Sequence, residues 1–422
     1  MSFRRALRTV TCALALAGLS TPAFASPAAL PAPVKEQPAQ VAWAPAVKPK
    51  ALSENVQKGL DWLVAHQLND GGWGQGEESA NMGSAMAGIA GQSNVADTCM
   101  SALALLRAGS TPTEGAHAKN INRGIDFVLG QIEASDENSL SVTSINGTRV
   151  QAKIGPNVDT FLSAQMLAEV DGKMGDPDRN ARVRKALDKV LAKMEKNQRD
   201  DGGYAGNAWA PALSQAIATK GVNRAAQKGA KVSKQLRVRS EGWAKRKFNA
   251  EAKSFDGADS AGVGLYAAAA SVGGLADSNA TNAAEEVHLE KVARESPDEA
   301  VRANAKADLD RIAETRQAQT AAQNALVAKM SDQQFMAGFG SNGGEEFLSY
   351  MLVSESLVAK GGTEWKEWDA TMARNLGHVQ NKDGSWTGHH CITGRNFCTA
   401  AALLVLMADR APMPLAKELR RG

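Results

Sequence analysis

The chain has 422 residues, 43% of them apolar and 22% charged, with a formal net charge of +3. That composition can bury a full core and excludes a disordered, collagen-like or low-complexity chain. The near balance of charge excludes the chain-wide basic character of a nucleic-acid binder.

In chain order, the first stretch is MSFRRALRTVTCALALAGLSTPAFAS. Its basic start, short apolar run and Ala23-Phe24-Ala25 end predict a signal peptide over residues 1–25, and so export to a periplasmic or extracellular space. Residues 26–50 are rich in Pro and Ala and predict an extended leader. No later apolar run is long enough to cross a bilayer. Cleavage removes Cys12 and leaves Cys99, Cys391 and Cys398, an odd number in a compartment that favours disulfides.

The stretch QLNDGGWG from Gln67 recurs as QRDDGGY at Gln198 to Tyr204 and as QNKDGSW at Gln380 to Trp386. Each copy holds a glutamine, an aspartate (Asp70, Asp201, Asp383), a glycine and an aromatic residue (Trp73, Tyr204, Trp386) at one spacing. A degenerate copy keeps Gln131 without the glycine turn. The preceding segments KGLDWLVAHQ and RGIDFVLGQ predict amphipathic outer helices. The segments that follow, such as DTCMSALALL from Asp97 and DTFLSAQML from Asp159, predict helices buried all round. Weaker copies start near Asn207, Asp259, Glu346 and Asn396, mostly with a residue that suits a helix start.

The basic run between Lys220 and Lys247 reads as a solvated outer helix face rather than a nucleic-acid or membrane patch. Residues 277–332 are polar and strongly helical, with Pro297 suited to a helix start, and predict an inserted helical hairpin plus an outer helix. That insertion is either decoration or a surface for a protein partner. The GFGSNGGEEF segment has a Gly-x-Gly-x-x-Gly spacing but no preceding strand, so it predicts a loop at a cavity edge with Glu345 and Glu346 as candidate acids. Six helix pairs with inner helices this apolar predict an all-α protein, an α/α toroid closed over residues 51–411, with a tail over 412–422.

The repeated Gln, Asp-Gly and aromatic pattern resembles the repeat of squalene-hopene cyclases and of the β subunits of protein prenyltransferases. The resemblance implies that the motif is a structural brace. It also implies an apolar or isoprenoid ligand in the ring, although the Asp-x-Asp-Asp acid motif of the cyclases is absent and aromatics are only 5% of the chain. The prenyltransferase pattern implies a zinc site: Asp97 and Cys99 match its Asp-x-Cys pair, and Cys398 stands where a histidine is expected, after His389 and His390. A set drawn from Asp97, Cys99, Cys398 and one histidine would suit tetrahedral zinc. A disulfide among the cysteines, or inert buried thiols, are the alternatives. Independently of zinc, Asp97, Asp159, Asp259, Glu346 and Asn396 are expected to ring one mouth, as helix caps or as a carboxylate-lined site. The function expected is ligand binding, with terpenoid or prenyl-transfer chemistry as its enzymatic form and a non-catalytic scaffold as its rival.

Overall fold

A computed structural model describes residues 43–77, 88–89 and 91–414. The expected signal peptide, most of the leader and the end of the tail lie outside the described residues. Outer helix α1 (Glu54–Ala65) precedes inner helix α2 (Val95–Arg107). Next come α3 (Ala118–Ala134), a short α4 (Arg149–Ile154) and inner α5 (Val158–Val170). Outer α6 (Pro177–Asn197) pairs with inner α7 (Pro211–Gln227), and outer α8 (Lys234–Arg246) with inner α9 (Gly264–Glu295). Outer α10 (Glu299–Val327), a short α11 (Gln333–Ala337) and inner α12 (Gly344–Lys360) follow, then outer α13 (Gly362–Val379) and inner α14 (Arg395–Leu406).

Each inner helix packs on the next in chain order, and α14 packs back on α2, so the described chain closes a ring of six helix pairs. The sequence explains both layers. Every residue of α5 from Val158 to Val170 is buried, as its small and apolar composition requires. In α6 only Val183, Ala186, Leu187, Val190, Leu191, Lys193 and Met194 are buried, mostly at helical spacing, which makes one inward stripe. Helix α6 starts at Pro177 behind an Asp176 cap, the preferred order for a helix start.

The three braces are built alike. Gln67 Nε2 donates to Gly71 O at 2.7 Å, in its own turn, and to Asn120 O at 2.9 Å, in the next outer helix. Gln198 reaches Gly202 O and Leu236 O, and Gln380 reaches Gly384 O at 2.7 Å and Asn55 O at 2.8 Å. The last bond joins the end of the ring to α1. The aspartates cap their own turns: Asp70, Asp201 and Asp383 accept from Gly72, Gly203 and Ser385 N–H. Trp73 and Trp386 are fully buried and donate Nε1–H to Leu63 O and Leu376 O, at 2.8 and 2.9 Å.

The aromatic member depends on the next outer helix. The Trp73 and Trp386 rings lie on Gly124 and Gly59, where an added Cβ would stand 3.0 and 2.8 Å from the ring. The first residue of each motif turn shows the register, because Cβ atoms at Gly71, Gly202 and Gly384 would meet Arg123 O, Arg239 O and Lys58 O. The residue after Arg239 is Ser240, not glycine, and it accepts from Gln198 at 2.9 Å. A tryptophan would clash there; Tyr204 instead turns onto Phe161, with ring centroids 4.8 Å apart.

Three expectations change. Residues 277–332 form no separate hairpin plus outer helix, because α9 runs unbroken from the buried ring into a solvated arm and α10 returns as the outer helix itself. No Gly or Pro stands between residues 275 and 296 to stop α9. Pro297 precedes the Asp298 cap rather than opening the helix. The basic run is only partly a solvated face: Lys231, Lys234 and Arg246 are exposed, but Lys234, Arg237 and Lys245 of α8 pair with Asp308, Glu285 and Glu314 of the arm, and Lys220 is buried. The ordered fold also extends past 51–411, since β1 (Trp43–Pro45) pairs antiparallel with β4 (Pro412–Pro414). A second hairpin, β2 (Phe248–Asn249) with β3 (Ser254–Phe255), lies before α9. No helix among the described residues is long and apolar enough to cross a membrane.

Candidate functional site

The inner helices present their starts at one mouth, and the predicted acids separate there by environment. Asp97 is buried and accepts from Asn94 Nδ2 at 2.7 Å, while Asn94 Oδ1 caps Asp97 N–H. Asp159 on α5 accepts from Ala96 N–H at 2.9 Å and Gln151 Nε2 at 2.7 Å, so it caps the neighbouring α2; burial raises its pKa to about 6. Both act as caps. Asp259 does not start its inner helix as expected: it sits in a short turn before α9 begins at Gly264, paired with Lys247 at 2.6 Å.

The predicted zinc ligands do not converge. Among the described residues no three His, Cys, Asp or Glu side chains are grouped to hold a metal ion. Cys99 Sγ lies 3.9 Å from Ser163 Oγ on α5, Cys398 Sγ points to Ile392 O at 3.5 Å, and His389 is exposed. With the Asp97 carboxylate bound to Asn94, this donor set does not fit zinc. Cys99, Cys391 and Cys398 are all buried free thiols, and burial pushes each one up, Cys391 to about 12.

Glu345 and Glu346, by contrast, stand in a cluster. Both are fully buried in the first turn of α12. Glu346 Oε1 accepts from the Tyr266 hydroxyl and from Phe339 N–H, the latter at 2.9 Å, and its Oε2 is 3.5 Å from His390 Nε2. Glu345 Oε2 accepts from Ile392 N–H at 3.1 Å; burial, with Glu346 adding to it, raises Glu345 to about 8. Burial holds His390 below its ordinary value, against the pull of Glu346. Near neutral pH the cluster therefore holds a protonated carboxyl beside a neutral imidazole. Glu345 Oε1 and Asn396 Oδ1 are buried without a hydrogen-bond partner.

Rings wall this cluster. Trp209 meets Tyr266 and Phe339 edge-on at 5.9 and 5.1 Å, and Phe339 meets His390 at 5.3 Å. The glycines of the Gly-x-Gly-x-x-Gly segment give its physical meaning. A Cβ on Gly338 or Gly343 would come within 2.6 or 2.7 Å of a Glu346 carboxylate oxygen, and one on Gly340 within 2.6 Å of the His390 ring. The loop is thus a close-fitting cover over an acid and an imidazole, not a phosphate cradle. Phe339, 60% exposed, is the ring on that cover. Sequence reasoning found the acids and the loop but missed Tyr266, Trp209 and Phe339, whose only signal is aromatic scarcity.

Lower on the ring axis lies a buried ion network that was also missed. Arg107 faces Glu355 at 3.4 Å and Glu169 at 3.6 Å, and Lys220 faces Glu355 at 2.7 Å and Asp277 at 2.9 Å. These charges interrupt the apolar inner helices, which was the available signal. They fill part of the axis where the resemblance implied an open apolar cavity. A cavity of about 130 Å³ instead lies between the starts of α5 and α7, lined by Phe161, Tyr204, Gln215 and Trp243 among others.

Fold and brace together define an all-α toroid of six helix pairs among the described residues. Residues 41–148 match the family model of the squalene-hopene cyclase C-terminal domain. No curated protein matches the sequence. Among solved structures the chain resembles an inactive variant of an alpha-1,6-mannanase of Salegentibacter sp. HEL1_6, in complex with alpha-1,6-mannotriose, with a TM-score of 0.50 at 8% identity over 85% of this chain and 98% of that one. That likeness shows the fold.

Proposed function

We propose that the protein is exported and binds an amphipathic ligand, an isoprenoid or other lipid with a polar end, at the mouth covered by the 338–343 loop. The observation that carries this reading is the buried acid pair beside His390, with an unpartnered Glu345 oxygen, walled by Trp209, Tyr266 and Phe339. Rings offer apolar area, and the protonated Glu345, with Oε2 taken by Ile392 N–H, presents at Oε1 a buried hydroxyl that favours a ligand acceptor such as an alcohol oxygen. The protonated Glu345 and neutral His390 also suit proton transfer to a bound alkene or alcohol, which is the enzymatic form of the reading.

Calorimetric titration with farnesol and with a long-chain fatty alcohol tests it. Glu346→Gln removes the carboxylate that holds Tyr266 and Phe339, and should weaken binding at least tenfold, about 1.4 kcal/mol, while the protein stays folded. Equal affinity in the two proteins would sink the mouth as the site. A folded wild type that binds neither alcohol would instead favour the scaffold reading, for which the arm offers exposed Val287 and Val301. Export has a separate check: intact mass of the chain recovered outside the cytoplasm should begin at Ser26, and recovery of the uncleaved chain inside would reject it.

A further inference from the structure

The opposite mouth of the ring, where the inner helices end, is closed by the β1–β4 clasp. Trp43 of that clasp lies over two cations, with its ring centroid 5.2 Å from Arg224 Cζ and 4.1 Å from Lys228 Nζ. Arg224 is only 1% exposed, yet among the described residues no carboxylate lies within 4.0 Å of it; its hydrogen-bond partner there is Gln227, at 3.4 Å, and its Nε has none. The neighbouring acids are committed elsewhere: Glu169 and Glu355 to Arg107, Asp277 to Lys220, and Asp171 to Arg184. Burial, reinforced by Lys173, holds Lys228 below its ordinary value. Glu355 and Asp277 attract Arg224 only from beyond contact; a buried guanidinium without an anion in contact is costly, and a ring face compensates for only part of that cost.

The cover itself is weakly held. Three of the six paired residues in the clasp are prolines, which have no N–H to give to a ladder. Among the described residues the Trp43 Nε1–H is buried without an acceptor. The ring of Trp43 therefore occupies a cationic seat that it does not fully satisfy.

We propose that Arg224 and Lys228 form a binding site for a small oxyanion, a carboxylate or phosphate, and that Trp43 is a displaceable plug in it. An oxyanion would take two N–H donors of Arg224 and the ammonium of Lys228, the pairing these groups lack in the closed ring. The site lies at the other mouth from the Glu346 cluster and does not depend on its function.

Inorganic phosphate, titrated into the full chain at constant ionic strength, is the probe. Trp43→Ala should bind phosphate at least tenfold more tightly than the wild type, and adding Arg224→Gln should abolish the gain. A folded Trp43→Ala protein with wild-type phosphate affinity would overturn the site, as would a gain that survives Arg224→Gln. If Trp43→Ala does not fold, hydrogen exchange on the wild type decides. Peptides containing Ala44 and Met413 should exchange faster in phosphate than in chloride, and equal rates would reject the plug.

Discussion

Lys220→Met is expected to lower the stability of the ring by about 3–5 kcal/mol, the range for removing one partner of a buried ion pair. The side chain of Lys220 is 2% exposed and lies 2.9 Å from Asp277 and 2.7 Å from Glu355. Methionine keeps most of the volume, so the loss comes from charge rather than a cavity. Asp277 loses its contact cation and keeps only the more distant Arg224, while Glu355 keeps Arg107, at 3.4 Å, with Arg224 farther off. The same network sets an acid limit. Burial pushes Glu355 up, but Lys220, Arg107 and Arg224 outweigh it and hold the carboxyl at about 2, below its ordinary 4.5. A depressed folded pKa gives stability that is present above 4.5 and lost as pH falls towards 2. Asp277, raised by burial, works the other way and softens that loss. Urea unfolding at pH 7 and pH 3 should show the decline in the wild type and a shallower one in Lys220→Met. An unfolding midpoint unmoved by Lys220→Met at pH 7 would remove the network from the account of stability.

Trp386→Ala should cost a similar amount, about 3–5 kcal/mol for a fully buried indole. Its ring seals the seam between the last repeat and α1, against Gly59. Gly59→Ala sets two effects against each other. Alanine favours a helix interior by about 0.5–1 kcal/mol, but its Cβ would stand 2.8 Å from the Trp386 ring and 2.9 Å from Leu403 Cδ2. Overpacking of a closed core costs about 1–3 kcal/mol, so the net effect should be destabilising. In a Trp386→Ala background the ring contact is gone and only the Leu403 side chain must shift, into the space the indole leaves, so Gly59→Ala should cost less than in the wild type. Strict additivity of the two substitutions in urea unfolding would refute the steric lock.

The braces were legible because a turn needs its chemistry locally: Gln, Asp, Gly and the aromatic stand within seven residues, as at Gln67 to Trp73. Inner helices were legible because burial on all sides leaves a composition with no polar face. The fate of charge was not legible. Lys220 sits in a basic run and looked solvated, yet its partners Asp277 and Glu355 are 57 and 135 positions away. The zinc expectation erred for a related reason. Asp97 and Cys99 have suitable spacing, but spacing does not show that Asn94 takes the carboxylate or that Cys99 turns to Ser163. At the mouth, the acid pair and glycine loop were visible as neighbours in sequence. Tyr266, Trp209 and His390, brought to them by packing of the inner helices, were not.

Closure through α14, α2 and the Gln380 bond to Asn55 also constrains how the chain reaches its native state. During vectorial synthesis the first helix pair emerges long before the partner of its open flank exists, because the sealing contacts join positions more than 300 residues apart. Contacts of such separation form late and slow folding. The flanks of α1 and α2 that later meet α14 and Trp386 therefore stay exposed, a surface that chaperones would have to shield until residues near 400 have been released.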